Sequence, residues 1–222
     1  PCRDGPRHLL DALRVAAWAD LGETCIVFNG ELQWGTRARK IRERALDAFD
    51  SVDPTPLGVL AREVVLQESR KRRRASSPRF DTHLCPDVFL LKVFPGMHPA
   101  VIMRIVDMGY RGLVIEGFGS GNTPTKENAL TDPIREALDA VNTVVMTAQC
   151  AFGQADLSLY EVGKAAMDIG ALSAYDMTSE ATLVKLMWVL GHTDEPEEIR
   201  DMMLKNYAGE ITLSEGVGLY GT

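Results

Sequence analysis

A chain of 222 residues, 45% of them hydrophobic, can bury one sizeable core or two smaller ones. Its formal net charge of −7 argues against a general affinity for nucleic acid, whose phosphates recruit basic surfaces. No apolar run reaches the ~18 residues that a membrane span needs, and no basic segment leads into an apolar one as in a secretory signal, so a cytoplasmic protein without membrane contact is expected.

Cys2, Cys25, Cys85 and Cys150 are scattered without a C-x-x-C pair, which fits a reducing compartment. Cys25, in "TCIVFN", reads as a core thiol. His8, His83, His98 and His192 are isolated in sequence and lack the i,i+4 spacing of a helical zinc site. Neither a metal nor a cofactor is indicated.

The chain opens on "PCRDGPRHLLDAL" without an initiator Met, as a fragment entered in its middle would. In the first helix Leu9, Leu13, Ala16 and Ala17 share one face. "ETCIVFN" is a short β-rich run, and Asn29-Gly30 turns it into a second strand at "ELQWGTR". "SVDPTPLG" is a loop by its two prolines, and "LAREVVLQ" reads as a strand. Residues 70–74 then form a run of five basic side chains, followed by Ser-Ser-Pro. Their repulsion keeps them solvated and marks a connector. Arg73-Arg74-Ala75-Ser76 also resembles a basic-directed kinase site, and the run a nuclear-localisation patch.

Beyond the connector the rhythm becomes regular. "DVFLLKVFP" is a strand; "HPAVIMRIVDMG" is a helix with Pro99 in its first turn and Gly109 as its C-cap. "GLVIEGF" is a strand, "TDPIREALDAV" a helix capped by Thr131 or Asp132, and "NTVVMTA" a third strand. "SLYEVGKAAMDIGAL" and "TSEATLVKLMWVLG" are helices, the latter ended by Gly191. "DEPEEIRDMMLKN" carries Asp194 and Glu197 at capping-box spacing. Alternating strands and helices predict an α/β domain with a parallel sheet, whose ligands bind beyond the carboxyl ends of strands.

The loop "GFGSGNTP" lies at such an end. Gly117, Gly119 and Gly121 permit positive φ or close approach. The dinucleotide fingerprint and the Walker lysine are both missing, and the next helix starts about ten residues later, so phosphate binding is not supported.

Six stretches in order, "RDGPRHLLDAL", "VFNGELQWGTRARK", "AFDSVDPTPLG", "LLKVFPG", "GLVIEGFGSGNTP" and "AYDMTSEATLVKLMWVLG", resemble consecutive segments of the L-asparaginase family, in its type I cytoplasmic branch. The D subunit of the archaeal glutamyl-tRNA(Gln) amidotransferase shares several of them. The resemblance implies an α/β fold: the remnant of a larger N-terminal parallel-sheet domain at residues 1–67, a linker at 68–85, a smaller C-terminal α/β domain with a short parallel sheet at 86–213, and a tail at 214–222. It implies hydrolysis of the asparagine side-chain amide to aspartate and ammonia, through a threonine nucleophile activated by its neighbours and an oxyanion held by backbone donors.

In that family the nucleophile belongs to a T-G-G-T motif, the second threonine and its aspartate to T-D-T, and a lysine precedes the segment that here reads "CRDG". This sequence contains neither "TGGT" nor "TDT". No catalytic residue is therefore assigned, and the nucleophile is expected ahead of Pro1. The resemblance further implies a homodimer or homotetramer in which Asp176 and Thr178 reach the neighbouring subunit's substrate pocket; both are also natural N-caps. "GFGSGNTP" would then shape an interdomain or intersubunit crevice. "TAQCAFGQ", with Cys150, resembles a regulatory asparagine site of some bacterial members. Glu116 stands where that site has arginine and cannot clamp a carboxylate, which argues against allosteric regulation.

Three readings follow: an asparaginase with asparagine as its small-molecule partner, an inactive dimerising paralogue, or a component of a tRNA-dependent amidotransferase. The chain by itself is expected to be inactive and poorly soluble.

Overall fold

The computed structural model describes residues 5–51, 56–68, 71–74, 77, 79–124, 128–141 and 143–212. Cys2, residues 52–55 of the proline loop, Arg70, Ser76 of the kinase-like motif, Asn142 and the 214–222 tail lie outside the described residues. The chain folds as two units, Pro1–Phe80 and Asp81–Thr222. No described helix is long and apolar enough to cross a membrane.

The first unit begins with α1 (Gly5–Trp18) and continues with six short strands: β1 (Cys25–Phe28), β2 (Glu31–Trp34), β3 (Ala38–Lys40), β4 (Phe49–Ser51), β5 (Gly58–Leu60) and β6 (Val64–Leu66). β1, β2, β5 and β6 form one sheet in that order, and β3 pairs with β4. Every pairing in this unit is antiparallel; the connections of the β1–β2, β3–β4 and β5–β6 pairs are too short for a parallel crossover. The β1–β2 turn is Asn29-Gly30, with φ of 49° and 83°, the two positive values a tight hairpin of matching twist requires. "LAREVVLQ" is not one strand: Ala61–Glu63 bends it into the β5–β6 hairpin, with the Ala61 N–H donating to the Glu63 carbonyl at 3.1 Å.

The small core of this unit is Val15, Ala19, Leu21, Leu32 and Leu57. Cys25 packs only partly against it, so it is half-buried and not a core thiol; burial pushes its thiol pKa up. α1 faces this core through Asp11 and Val15, while Leu9 and Leu13 are 63% and 58% exposed. The basic segment is exposed but not loose. The Gly22 N–H donates to the Lys71 carbonyl at 2.8 Å. The N–H groups of Lys71 and Arg73 donate to Glu23 (3.1 Å) and Asp20 (3.0 Å), and the Arg73 guanidinium donates to the Ala16 carbonyl in the last turn of α1 (2.6 Å). A cation at a helix C-terminus meets the negative end of its dipole.

The second unit runs β7 (Val88–Lys92), α2 (Ala100–Asp107), β8 (Gly112–Gly117), α3 (Thr131–Leu138), β9 (Thr143–Ala148), α4 (Glu161–Asp168), β10 (Leu172–Ser173), α5 (Ser179–Leu190) and α6 (Pro196–Leu204). Its four strands form a parallel sheet in the order β10-β9-β8-β7. Every residue of β8 is buried, as expected for a strand covered on both faces. Alternation separates two cores. Leu113, Ile115, Val144 and Met146 point to the α2–α4 side, whereas Val114 and Val145 join Leu186, Val189, Ile199 and Met203 of α5 and α6.

Helix ends differ from expectation in detail. The C-cap of α2 is Met108, and Gly109 follows it at φ 89°. α3 starts at Thr131 itself, after Leu130 and without a side-chain cap. The expected Asp194–Glu197 box does not form. Thr193 Oγ1 instead accepts from the Glu195 N–H (3.1 Å) and donates to Glu198 (2.6 Å), while Asp194 turns away to pair with Arg111.

Candidate functional site

Three strand ends of the parallel sheet converge on polar loops. β8 runs into Phe118 to Pro124, β9 into Gln149, and β10 into residues 174–178. The glycine loop folds back on itself. Phe118 N–H donates to the Asn122 carbonyl (2.7 Å), and the N–H groups of Gly121 and Asn122 donate to the Phe118 carbonyl (3.0 and 2.8 Å). These donors are committed inside the loop and are not presented to a phosphate, which needs outward N–H groups. A Cβ on Gly117 would lie 2.4 Å from the Gly121 backbone, so the fold-back requires glycine there; Gly119 and Gly121 take φ of 51° and 97°.

Glu116, the last acidic residue before this loop, is buried. It accepts a hydrogen bond from the Ser179 hydroxyl and lies 3.6 Å from the Lys92 ammonium. Its carboxylate therefore ties the end of β8 to the start of α5. Gln149 joins the next strand edge by donating to the Val93 and Glu116 carbonyls (2.5 and 2.9 Å). Cys150, beside it, is exposed.

The segment after β10 is held in an unusual conformation. Tyr175 has φ of 52°, a left-handed value that costs a non-glycine residue on the order of 1–2 kcal/mol. Ser173 compensates: its Oγ accepts from the Tyr175 N–H (3.0 Å) and donates to the Ala155 carbonyl (2.6 Å). Ala155 N–H donates to the Tyr175 carbonyl at 2.7 Å. A cavity of about 160 Å³ opens beside this knot, lined by Gln154, Asp156, Ser158, Ser173 and Tyr175. Nothing local in the sequence signals Tyr175 or Ser173, because a positive φ outside glycine leaves no compositional trace.

Asp176 and Thr178 follow at once. Asp176 Oδ1 accepts from the Thr212 N–H at 2.8 Å. Thr178 is the N-cap of α5, in extended backbone, and its hydroxyl oxygen accepts from the Ala181 N–H at 3.0 Å. Both sequence-selected residues thus lie on one short segment at the carboxyl end of the sheet. Further along α5, Lys185 is buried and 2.7 Å from Glu210; it also donates to the Lys205 carbonyl at 2.6 Å. Burial alone would push the Glu210 carboxyl up. The Lys185 ammonium and the N–H groups of Ala208 and Glu210 overcome it and hold the carboxyl below its ordinary range. Lys185 is therefore part of the fold's interior and takes no part in the polar loops.

A parallel sheet covered on both faces, with polar loops gathered at its carboxyl edge, defines an α/β protein of the ligand-binding kind. The Glutaminase/Asparaginase C-terminal domain model matches residues 87–203, and the Asparaginase, N-terminal model matches residues 1–72. The chain belongs to the asparaginase family. It is 39% identical over 212 residues to an L-asparaginase of Thermococcus kodakarensis, covering 96% of this chain and 64% of that protein. It is 37% identical over 222 residues to the D subunit of the glutamyl-tRNA(Gln) amidotransferase of Pyrococcus horikoshii, covering 96% of this chain and 50% of that one. The solved structure of the thermostable L-asparaginase from Thermococcus kodakarensis superposes with a TM-score of 0.89 at 38% identity, over 96% of this chain and 64% of that chain. L-asparaginase I from Vibrio cholerae gives a TM-score of 0.84 at 31% identity, over 96% and 65%. The chain thus spans between half and two thirds of the length of these relatives.

Proposed function

We propose that this chain is part of a cytoplasmic L-asparagine amidohydrolase that works as a homo-oligomer. Its second unit presents Asp176 and Thr178 to the substrate pocket of a neighbouring protomer, and residues outside these 222 supply the nucleophile. The observation that carries the reading is the match to L-asparaginase across both units, at 39% identity and a TM-score of 0.89.

The chemistry of the segment supports the substrate role. A hydroxyl has one donor and two acceptor positions. Capping uses one acceptor position of Thr178, so its O–H can still donate to an amino-acid carboxylate. Asp176 brings negative charge suited to an α-ammonium group. The nucleophile is not assigned to this region: among the described residues no base is hydrogen-bonded to the Thr178 hydroxyl to take its proton, and Lys185 is paired with Glu210.

Ammonia release from L-asparagine tests the reading. The 222-residue chain alone is expected to release none, and the chain extended upstream by its own reading frame is expected to be active. In the extended protein Thr178→Ser should retain activity. Thr178→Asp should keep the helix cap, which Asp makes as well as Thr, but raise KM by repelling the substrate carboxylate. Unchanged KM in Thr178→Asp would remove Thr178 from the site, and an inactive extended protein would overturn the asparaginase assignment.

The 37% identity to the amidotransferase's D subunit over 96% of the chain favours one second reading, a component of a tRNA-dependent amidotransferase. Co-purification of the extended protein with a tRNA-binding partner, together with ammonia release only in that complex, would select it.

A further inference from the structure

The folding of the second unit brings His192 to Asp81 and His83, which are neighbours in the chain but distant from it in sequence. Asp81 and His192 are separated by 111 positions, yet His192 Nε2 lies 2.9 Å from Asp81 Oδ2. His83 Nδ1 lies 3.4 Å from Asp81 Oδ1. One ligand atom from each of Asp81, His83 and His192 falls within 4.8 Å of the others.

Backbone packing builds this arrangement. Cys85 N–H donates to the Met187 carbonyl at 2.8 Å, laying the segment before β7 along the last turn of α5. At Gly191 a Cβ would stand 2.4 Å from the His83 carbonyl oxygen, so only glycine admits so close a pass. His192 then follows directly, its N–H donating to the Val189 carbonyl at 2.9 Å.

The His192 ring is oriented from behind. Nδ1 is 2.7 Å from the Trp188 carbonyl, and the ring sits 4.5 Å from that of Trp188. A carbonyl only accepts, so Nδ1 carries the hydrogen, and Nε2 is the nitrogen aimed at Asp81. Histidines that bind metals are characteristically held in this way, with the other N–H given to a carbonyl or carboxylate. A carboxylate oxygen this close to Nε2 calls for a positive charge between them, which a proton on the ring or a bound cation supplies.

We propose that Asp81, His83 and His192 form a surface site for a first-row divalent cation of the zinc type, with water completing the coordination. Ligands at about 2.0–2.1 Å in a tetrahedral shell stand roughly 3.3 Å apart. Asp81 Oδ2 stands 2.9 Å from His192 Nε2 and Oδ1 3.4 Å from His83 Nδ1, near that edge but on different oxygens, so rotation of the exposed Asp81 and His83 side chains is what brings one atom of each into a single shell. Two imidazoles and one carboxylate favour zinc over magnesium or calcium, which prefer shells of oxygen. Bound there, the ion would pin residues 81–83 to the end of α5.

Calorimetric titration of the chelator-treated protein, extended upstream by its own reading frame, with Zn²⁺ tests the site. One equivalent should bind. His83→Ala and His192→Ala should each weaken binding at least about tenfold, the smallest loss usual even for residues that only support a ligand. His8→Ala and His98→Ala should leave it unchanged. Gly191→Ala removes no ligand but displaces the His83 backbone, and should weaken binding as well. Co²⁺ should give an absorption spectrum of nitrogen and oxygen ligation without thiolate charge transfer. Unfolding of the two metal-free histidine variants, unchanged from the parent, confirms that their change is local. The proposal is overturned if Zn²⁺ does not bind, if it binds either single histidine variant as tightly as the parent, or if binding disappears in Cys150→Ser.

Discussion

The interior ion pair of the second unit gives the most quantitative prediction. Lys185 and Glu210 have side chains only 6% and 5% exposed and stand 2.7 Å apart. Glu210 also accepts from Ala208 N–H at 2.7 Å and Tyr207 N–H at 3.1 Å, so it organises the chain that follows α6. Glu210→Ala strands a buried ammonium, whose Lys205 carbonyl partner supplies no countercharge; removing one member of such a pair costs about 3–5 kcal/mol. Lys185→Met should cost less, about 1–3 kcal/mol, because the carboxylate keeps its backbone N–H donors. The double variant should fall short of the sum of the single losses, with a coupling of about 0.5–3 kcal/mol. Urea unfolding can be followed through Trp188, whose ring is 5.0 Å from that of Tyr207, after Trp18 and Trp34 are replaced by Phe. With a slope of about 2 kcal/mol/M, Glu210→Ala should lower the midpoint by about 1.5–2.5 M. A loss below about 1 kcal/mol would place the pair in water, where ion pairs contribute little, and would refute the interior placement of Glu210.

The same pair sets an acid limit: a carboxyl held low in the fold stabilises above its unfolded value and loses that contribution as pH falls through its folded value. Stability of the second unit should therefore decline below about pH 4.5, the ordinary glutamate value, and Glu210→Gln should flatten that decline in pH-dependent unfolding. In the glycine loop, Gly117→Ala meets backbone at 2.4 Å and should cost 3 kcal/mol or more, about the upper end for overpacking. Gly119→Ala has open space around it and should cost only the left-handed φ, about 1–2 kcal/mol; the reverse order in thermal unfolding would contradict the fold-back. Arg73→Ala should selectively raise amide hydrogen exchange in the last turn of α1, whose Ala16 carbonyl it holds, and unchanged exchange there would mean that the strap is not formed in solution.

Regular elements were readable wherever local pattern and final burial agree. β8 and β9 are continuous apolar runs because both faces of the parallel sheet are covered, and the Asn29-Gly30 turn announces its own geometry. Helix ends were less readable, because several residues there compete for the same N–H groups. Asp194 has capping-box spacing, but Arg111 offers a guanidinium, and the N-cap of α6 is Glu195, whose own N–H is held by Thr193. Likewise "LAREVVLQ" has strand propensity throughout, and only pairing partners decide that Ala61–Glu63 must bend. α1 shows the limit of periodicity: Leu9 and Leu13 form an apolar stripe, yet the face that packs is the one through Asp11 and Val15.

The candidate site divides along a similar line. Asp176 and Thr178 could be selected because they stand in a recognisable stretch and have the chemistry of caps; Thr178 does cap α5 through the Ala181 N–H, whereas Asp176 is not the cap of that helix and accepts from the distant Thr212 N–H. Ser173 and Tyr175, close by in the chain, escaped because their importance lies in a backbone angle and in one hydroxyl bridging two strands' ends. The Asp81–His83–His192 cluster escaped for a different reason. Metal motifs are read from short spacings along one element, whereas these residues meet only because Gly191 lets a distant segment lie against α5. Local spacing reports what one element presents. Sites assembled by long-range backbone contact leave their trace in the glycine that permits the approach, and an alanine at position 191 would disperse the cluster without altering any of its ligands.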